Sequence, residues 1–233
     1  MSTVATASHH RPTVILLYIL PVLLLPFVAQ ADLPRPSGPL GAFLIDSFVR
    51  VLVPLIALWL LARNLNVKPK DYGLTLSLGA HTPCQSAAAS FLCFVGYMGY
   101  VIVNALAQNW FVEAPKPPVT ELEGLARSNL IVLVYLAATA GFFEEVIYRG
   151  VLGTVFLSGQ SKVAARIAYV LISTALFAAV HAAYGPAMVA ACIYIGILTA
   201  GLYIWLGNLW ILIAAHFATD LFVGVWAARH AAL

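Results

Sequence analysis

The chain has 233 residues, 62% of them hydrophobic and 9% charged, with a formal net charge of +3. A soluble domain carries about 25% charged residues, so a water-soluble globular protein is excluded, and the composition predicts an all-α, polytopic membrane helix bundle. The small positive charge is scattered over loop ends and forms no basic stripe, which argues against a nucleic-acid partner.

A spanning helix needs roughly 20 apolar residues. Seven segments meet that length: 12–31, 41–62, 84–107, 128–157, 164–184, 187–206 and 208–228. The expectation is about seven transmembrane helices, six to eight, in one membrane domain over residues 1–233. The first run, Thr13 to Val28, is long, contains Pro21 and Pro26, and lacks a small-residue cleavage site, so it reads as a retained helix and not a leader. Asp46 and Arg50 lie four apart near the start of the second segment and read as an interfacial pair without chemistry. Cys84, Cys93 and Cys192 form no CxxC pair and read as small packing residues. The stretch TELEGLARSN, 120–129, is either a short interfacial helix or a solvated loop capped by Ser128. The fourth segment is long, and its end past Arg149 is expected to protrude from the core. Only Gly207 and its neighbours separate the last two segments.

The loops carry an orientation signal. Arg11 precedes the first segment; Arg63, Lys68 and Lys70 outweigh Asp71 in the loop 63–83; Lys162 and Arg166 occupy 158–166. Loop 108–127 holds Glu113, Glu121 and Glu123 against Lys116 and Arg127. Basic loops prefer the cytoplasm, which puts the N-terminus inside. The Ala-rich, loop-poor composition suggests a bacterial inner membrane.

Few ionisable residues fall at membrane depth: Glu144, Glu145, Arg149, His181, His216 and Asp220. Such residues are costly in lipid and mark functional sites by default. Residues four apart on a helix share a face, so Glu145 can pair with Arg149. Glu144 is turned about 100° away and is left to act. The same spacing links Phe177 to His181 and His216 to Asp220. Glu144 stands 18 residues before Lys162 and His181 stands 19 after it. At 1.5 Å per residue both lie ~27–29 Å up a helical hairpin and can meet.

A carboxylate, two histidines and a nearby acid suit hydrolysis. Glu144 is the candidate general base on a water, with His181 positioning it or shuttling the proton. His216 and Asp220 are candidates to polarise the scissile carbonyl and hold the oxyanion. No Gly-x-Ser-x-Gly, no Ser-Lys pair at helical spacing in the core and no HExxH is present. No cofactor is therefore expected; the alternative is zinc, with Glu144, His181 and His216 as three ligands and an open fourth position.

EEVIYR (Glu144, Glu145, Arg149), FAAVH (Phe177, His181) and HFATD (His216, Asp220) stand in this order on apolar segments. The ordered set resembles the CPBP family, which comprises type II CAAX prenyl proteases and bacteriocin-processing and immunity proteins. The resemblance covers residues 128–228, the expected catalytic core; residues 1–127 are less characteristic. It implies an intramembrane glutamic endopeptidase acting on a lipid-modified or membrane-anchored peptide, such as a CAAX-like tail, a leader or a C-terminal sorting segment. It also implies that Glu144 and His181 activate water while His216 and residue 220 form the oxyanion site. The family pattern has Asn at the last position, and here it is Asp220. An ionised Asp cannot donate as an amide can, so Asp220 is either protonated or orients His216. Two other classes use such residues. One is a non-catalytic immunity or scaffold protein that binds a peptide. The other is a proton-coupled transporter, for which no inverted repeat is visible.

Overall fold

The computed structural model describes residues 12–30, 38–75, 83–110, 121–157 and 162–230. Arg11, Glu113 and Lys116, with the loop stretches 31–37, 76–82, 111–120 and 158–161, lie outside the described residues. The described residues form eight helices and no strand. They are α1 (Pro12–Gln30), α2 (Pro39–Leu65), α3 (Pro83–Trp110), α4 (Glu121–Ala126), α5 (Leu130–Leu157), α6 (Val163–Ala179), α7 (Pro186–Leu206) and α8 (Trp210–His230). Helices α2, α3, α5, α7 and α8 are long and apolar enough to cross a membrane; α1 and α6 are shorter and apolar. This is a polytopic helical membrane protein, and its seven apolar helices fall on the seven expected segments.

Local chemistry sets the boundaries. Proline stands in the first turn of α2 and of α7, where its missing N–H has no helical partner to lose. Helix α7 ends at Gly207, whose φ of 61° is left-handed and whose amide donates to the Tyr203 carbonyl at 2.8 Å; that conformation favours glycine. Asn208 then starts α8 by accepting from the Trp210 amide at 2.8 Å. The single weak boundary expected at Gly207 is thus a C-cap followed at once by an N-cap.

Four expectations are corrected. The fifth segment stops at Ala179, not 184, and a short turn, Ala182–Tyr184, follows. The stretch 121–126 is helical, but the cap of α5 is Asn129, which accepts from the Ile131 and Val132 amides; the Ser128 hydroxyl instead donates to Leu125 O. The end of α5 does not protrude: Val151, Leu152 and Val155 are buried among α1, α6 and the turn Pro69–Tyr72. Finally, the second segment begins at Pro39, not 41, so Arg50 lies 11 residues in, about 17 Å along the axis.

Helix α7 packs between α3 and α6, while α8 packs between α3 and α5. Lipid is as apolar as leucine, so close backbone approach and interhelical hydrogen bonds carry the association. Gly141 of α5 shows the first. A Cβ there would lie 3.0 Å from the Phe217 amide nitrogen and 3.3 Å from Ile213 O. Glycine lets the α5 and α8 backbones meet one turn from Glu144 and His216.

Candidate active site

The acid-rich part of α5 departs from α-helix. Residues Leu130–Glu144 are α-helical, Glu145–Val151 wind as a π-turn, and Leu152–Leu157 return to α. Such a turn shifts the ladder from i→i+4 to i→i+5 and recurs at functional sites. Side chains of α6 bind two of its carbonyls. The Ser173 hydroxyl donates to Tyr148 O at 2.6 Å, and the Tyr169 hydroxyl donates to Arg149 O at 3.0 Å. The turn is therefore stapled to α6, and its seven residues are all buried.

Glu145 and Arg149 form a sealed pair. Both are 0% exposed. Arg149 Nε donates to Thr199 Oγ1 at 2.9 Å and lies 3.4 Å from Glu145 Oε2. Its guanidinium carbon sits 4.2 Å over the Phe177 ring. Among the described residues Nη1 and Nη2 have no hydrogen-bond partner; the negative face of Phe177 faces the cation instead. The other Glu145 oxygen, Oε1, accepts from His216 Nδ1 at 2.9 Å and from the Tyr97 hydroxyl at 3.3 Å. Oε2 has the ion-pair contact with Arg149 and no hydrogen bond among the described residues.

Glu144 is placed differently. Its side chain is 21% exposed, and its Oε2 is 3.8 Å from His216 Nε2. The inequality read from the sequence, one glutamate held and the other open, is the geometry observed. His216 links the two: Nδ1 is anchored by Glu145, and Nε2 faces both Glu144 and Asp220, whose Oδ2 is 3.5 Å away. The Tyr97 ring packs beside His216, with centroids 5.5 Å apart.

His181 lies in the turn after α6, not on the helix, with φ −97° and ψ 3°. Its ring still stacks on Phe177, centroids 4.8 Å apart. Its Nδ1 is 2.8 Å from Phe177 O. A carbonyl can only accept, so Nδ1 donates to it and Nε2 is left for another partner. The turn is tied down from outside: the Tyr184 hydroxyl donates to Glu123 Oε1 of α4 at 2.8 Å. Burial, and after it the charge on Glu123, push the Tyr184 phenol up to about 12, so it remains a donor.

Phe177 is the hub of the arrangement. It touches Tyr148 (5.5 Å), His181 (4.8 Å), His216 (6.5 Å) and Arg149. The structure thus gathers Glu144, Glu145, Arg149, His216 and Asp220 into one contact network, with His181 joined through Phe177. Among the described residues no group of three His, Cys, Asp or Glu side chains could hold a metal ion, the trio Glu144, His181 and His216 included. Two members of the site were not read from the sequence, Tyr97 on α3 and Thr199 on α7. Their signal was a hydroxyl in the middle of an apolar segment, which needs a partner there.

An apolar groove of about 660 Å³ runs between α3 and α8, lined by residues that include Phe94, Met98, Ala215, Thr219 and Phe222. Ala215 and Thr219 flank His216 and Asp220 in sequence.

Residues 126–222, which carry all six candidate side chains, match the family model described as type II CAAX prenyl endopeptidase, Rce1-like. No curated protein and no solved structure matches the chain. The family match runs from the foot of α5 into α8 and leaves α1 to α3, with Tyr97, outside it. The likeness to the Rce1-like type II CAAX prenyl endopeptidases is thus carried by residues 126–222, less than half of the chain.

Proposed function

We propose that this protein is an intramembrane endopeptidase of the glutamic type that cleaves a lipid-modified or membrane-anchored peptide. The family match supports peptidase chemistry and a CAAX-like tail as the first substrate class to try. The observation that carries the mechanism is the contrast between two adjacent glutamates, Glu145 at 0% exposure inside a sealed pair and Glu144 at 21% beside His216.

In this reading Glu144 takes a proton from a water as the water oxygen attacks the scissile carbonyl carbon. His181, with Nε2 as acceptor, positions that water. His216, anchored through Nδ1 by Glu145, donates from Nε2 toward the oxyanion, and Asp220 orients the ring. The C–N bond then breaks, and the proton held by Glu144 passes to the leaving amine. Glu145 and Arg149 hold the frame. These residues supply every proton transfer themselves, which favours a metal-independent reaction. The groove between α3 and α8 suits an apolar anchor lying alongside the scissile bond. The basic loops favour a cytoplasmic N-terminus, and the Ala-rich, loop-poor composition favours a bacterial inner membrane as the location.

The test is cleavage by purified protein in liposomes, read by mass spectrometry. The panel holds a farnesylated CAAX peptide, a leader peptide and single-span reporters with C-terminal sorting tails, each with and without a strong chelator. Chelator-resistant cleavage of one class supports the reading and names the substrate. Chelator-sensitive cleavage replaces the glutamic mechanism with a metal one. Binding of a panel member without cleavage favours the immunity or scaffold class.

A further inference from the structure

Two acid–arginine pairs at i, i+4 lie at membrane depth, and both ride on π-turns: Glu145–Arg149 on Glu145–Val151, and Asp46–Arg50 beside Phe48–Leu52. The first is sealed. The second is open, with the Arg50 side chain 35% exposed and Asp46 14%. Arg50 Nε lies 2.9 Å from Asp46 Oδ1. The other Asp46 oxygen accepts from the Tyr135 hydroxyl of α5 at 3.0 Å, and that hydroxyl meets Ser47 Oγ at 2.9 Å. The base of Arg50 is therefore fixed to α5. A guanidinium has five N–H donors; Asp46 engages the Nε edge and leaves the Nη groups for another partner.

Arg50 lies within electrostatic reach of Glu144, Glu123, Tyr184 and Asp220. Glu144 thus shares its surroundings with other acidic groups, while Arg149 is buried. A peptide bringing a negative end meets repulsion that a low dielectric strengthens. The partly exposed Arg50 guanidinium, within electrostatic reach of Glu144, offsets it, and its planar fork matches a carboxylate in bidentate geometry. An arginine at this depth is expensive to keep and marks function.

We propose that Arg50 binds the free α-carboxylate at the C-terminus of the peptide substrate, and so selects bonds close to a chain end. The proposal rests on the endopeptidase reading above and adds a specificity-determining residue from outside the family-matched segment.

The test compares a farnesylated fluorescent peptide ending in a free carboxylate with its C-terminal amide. Both are bound to the full chain carrying Glu144→Ala in nanodiscs, and both are offered to the wild-type chain for cleavage. The carboxylate form should bind about 10- to 100-fold tighter. Arg50→Gln should bring that ratio toward one, and Arg50→Lys should restore part of it. Equal binding of the two peptides when Arg50 is present overturns the proposal, and needs no Arg50 variant to fold. An unchanged ratio in Arg50→Gln also overturns it. A ratio that depends on Arg50 without any cleavage by the wild-type chain upholds the carboxylate site and removes the peptidase reading instead.

Discussion

Arg149→Met removes the buried cation while keeping an unbranched side chain of similar length. The change deletes the 2.9 Å bond to Thr199, the ion pair with Glu145 and the cation–π contact on Phe177. Glu145 keeps His216 and Tyr97 but becomes an uncompensated carboxylate at 0% exposure. Breaking one side of a buried pair costs about 3–5 kcal/mol. Arg149→Lys keeps the charge but loses the planar stack and the fork, so its cost falls between the wild type and Met. Cys93 and Cys192 are buried, which makes a thiol-reactive fluorophore a direct reporter of thermal unfolding in detergent, with Cys84→Ser to remove the third thiol. A Met variant as stable as wild type would refute the sealed pair as the element that holds this turn.

Other outcomes follow from single contacts. Tyr97→Phe leaves Glu145 Oε1 with His216 alone; it should lower stability by about 1 kcal/mol and reduce kcat more than it raises KM. Gly141→Ala drives a methyl against the Phe217 backbone at 3.0 Å, which should cost about 1–3 kcal/mol by the same unfolding assay. Tyr184→Phe detaches the His181 turn from Glu123 and should raise hydrogen exchange there about tenfold, near 1 kcal/mol. The raised Tyr184 phenol makes that contribution complete below pH ~10 and lost as pH rises through about 12. The stability gap between wild type and Tyr184→Phe should therefore close over that window.

Much of this was legible in the chain. Long apolar runs interrupted by Gly207 and by Pro186 located the helices, because lipid forces the backbone to satisfy itself within each span. Glu144, Glu145, Arg149, His216 and Asp220 announced themselves by their cost at membrane depth, and their four-residue spacings predicted real contacts. What stayed hidden was set by tertiary geometry. No local pattern marks a π-turn, so the stapling of Tyr148 O and Arg149 O by Ser173 and Tyr169 was invisible. Helical spacing correctly stacked Phe177 on His181, yet the helix ends two residues before the histidine. The start of α2 was read two residues late, because no local signal other than Pro39 marks it. Tyr97 and Thr199 looked like ordinary members of apolar helices until α3 and α7 were brought to Glu145 and Arg149.

The division of labour between the two adjacent glutamates is the central claim, and one paired measurement tests it. Glu144→Gln is made in the full chain, and thermal stability and kcat on a cleaved peptide are measured on the same preparation. The account predicts wild-type stability, because Glu144 is partly exposed and its nearest polar contact is 3.8 Å away. It predicts a kcat lower by about 10²–10⁴-fold, the usual worth of a general base. Retained cleavage by Glu144→Gln would contradict the account.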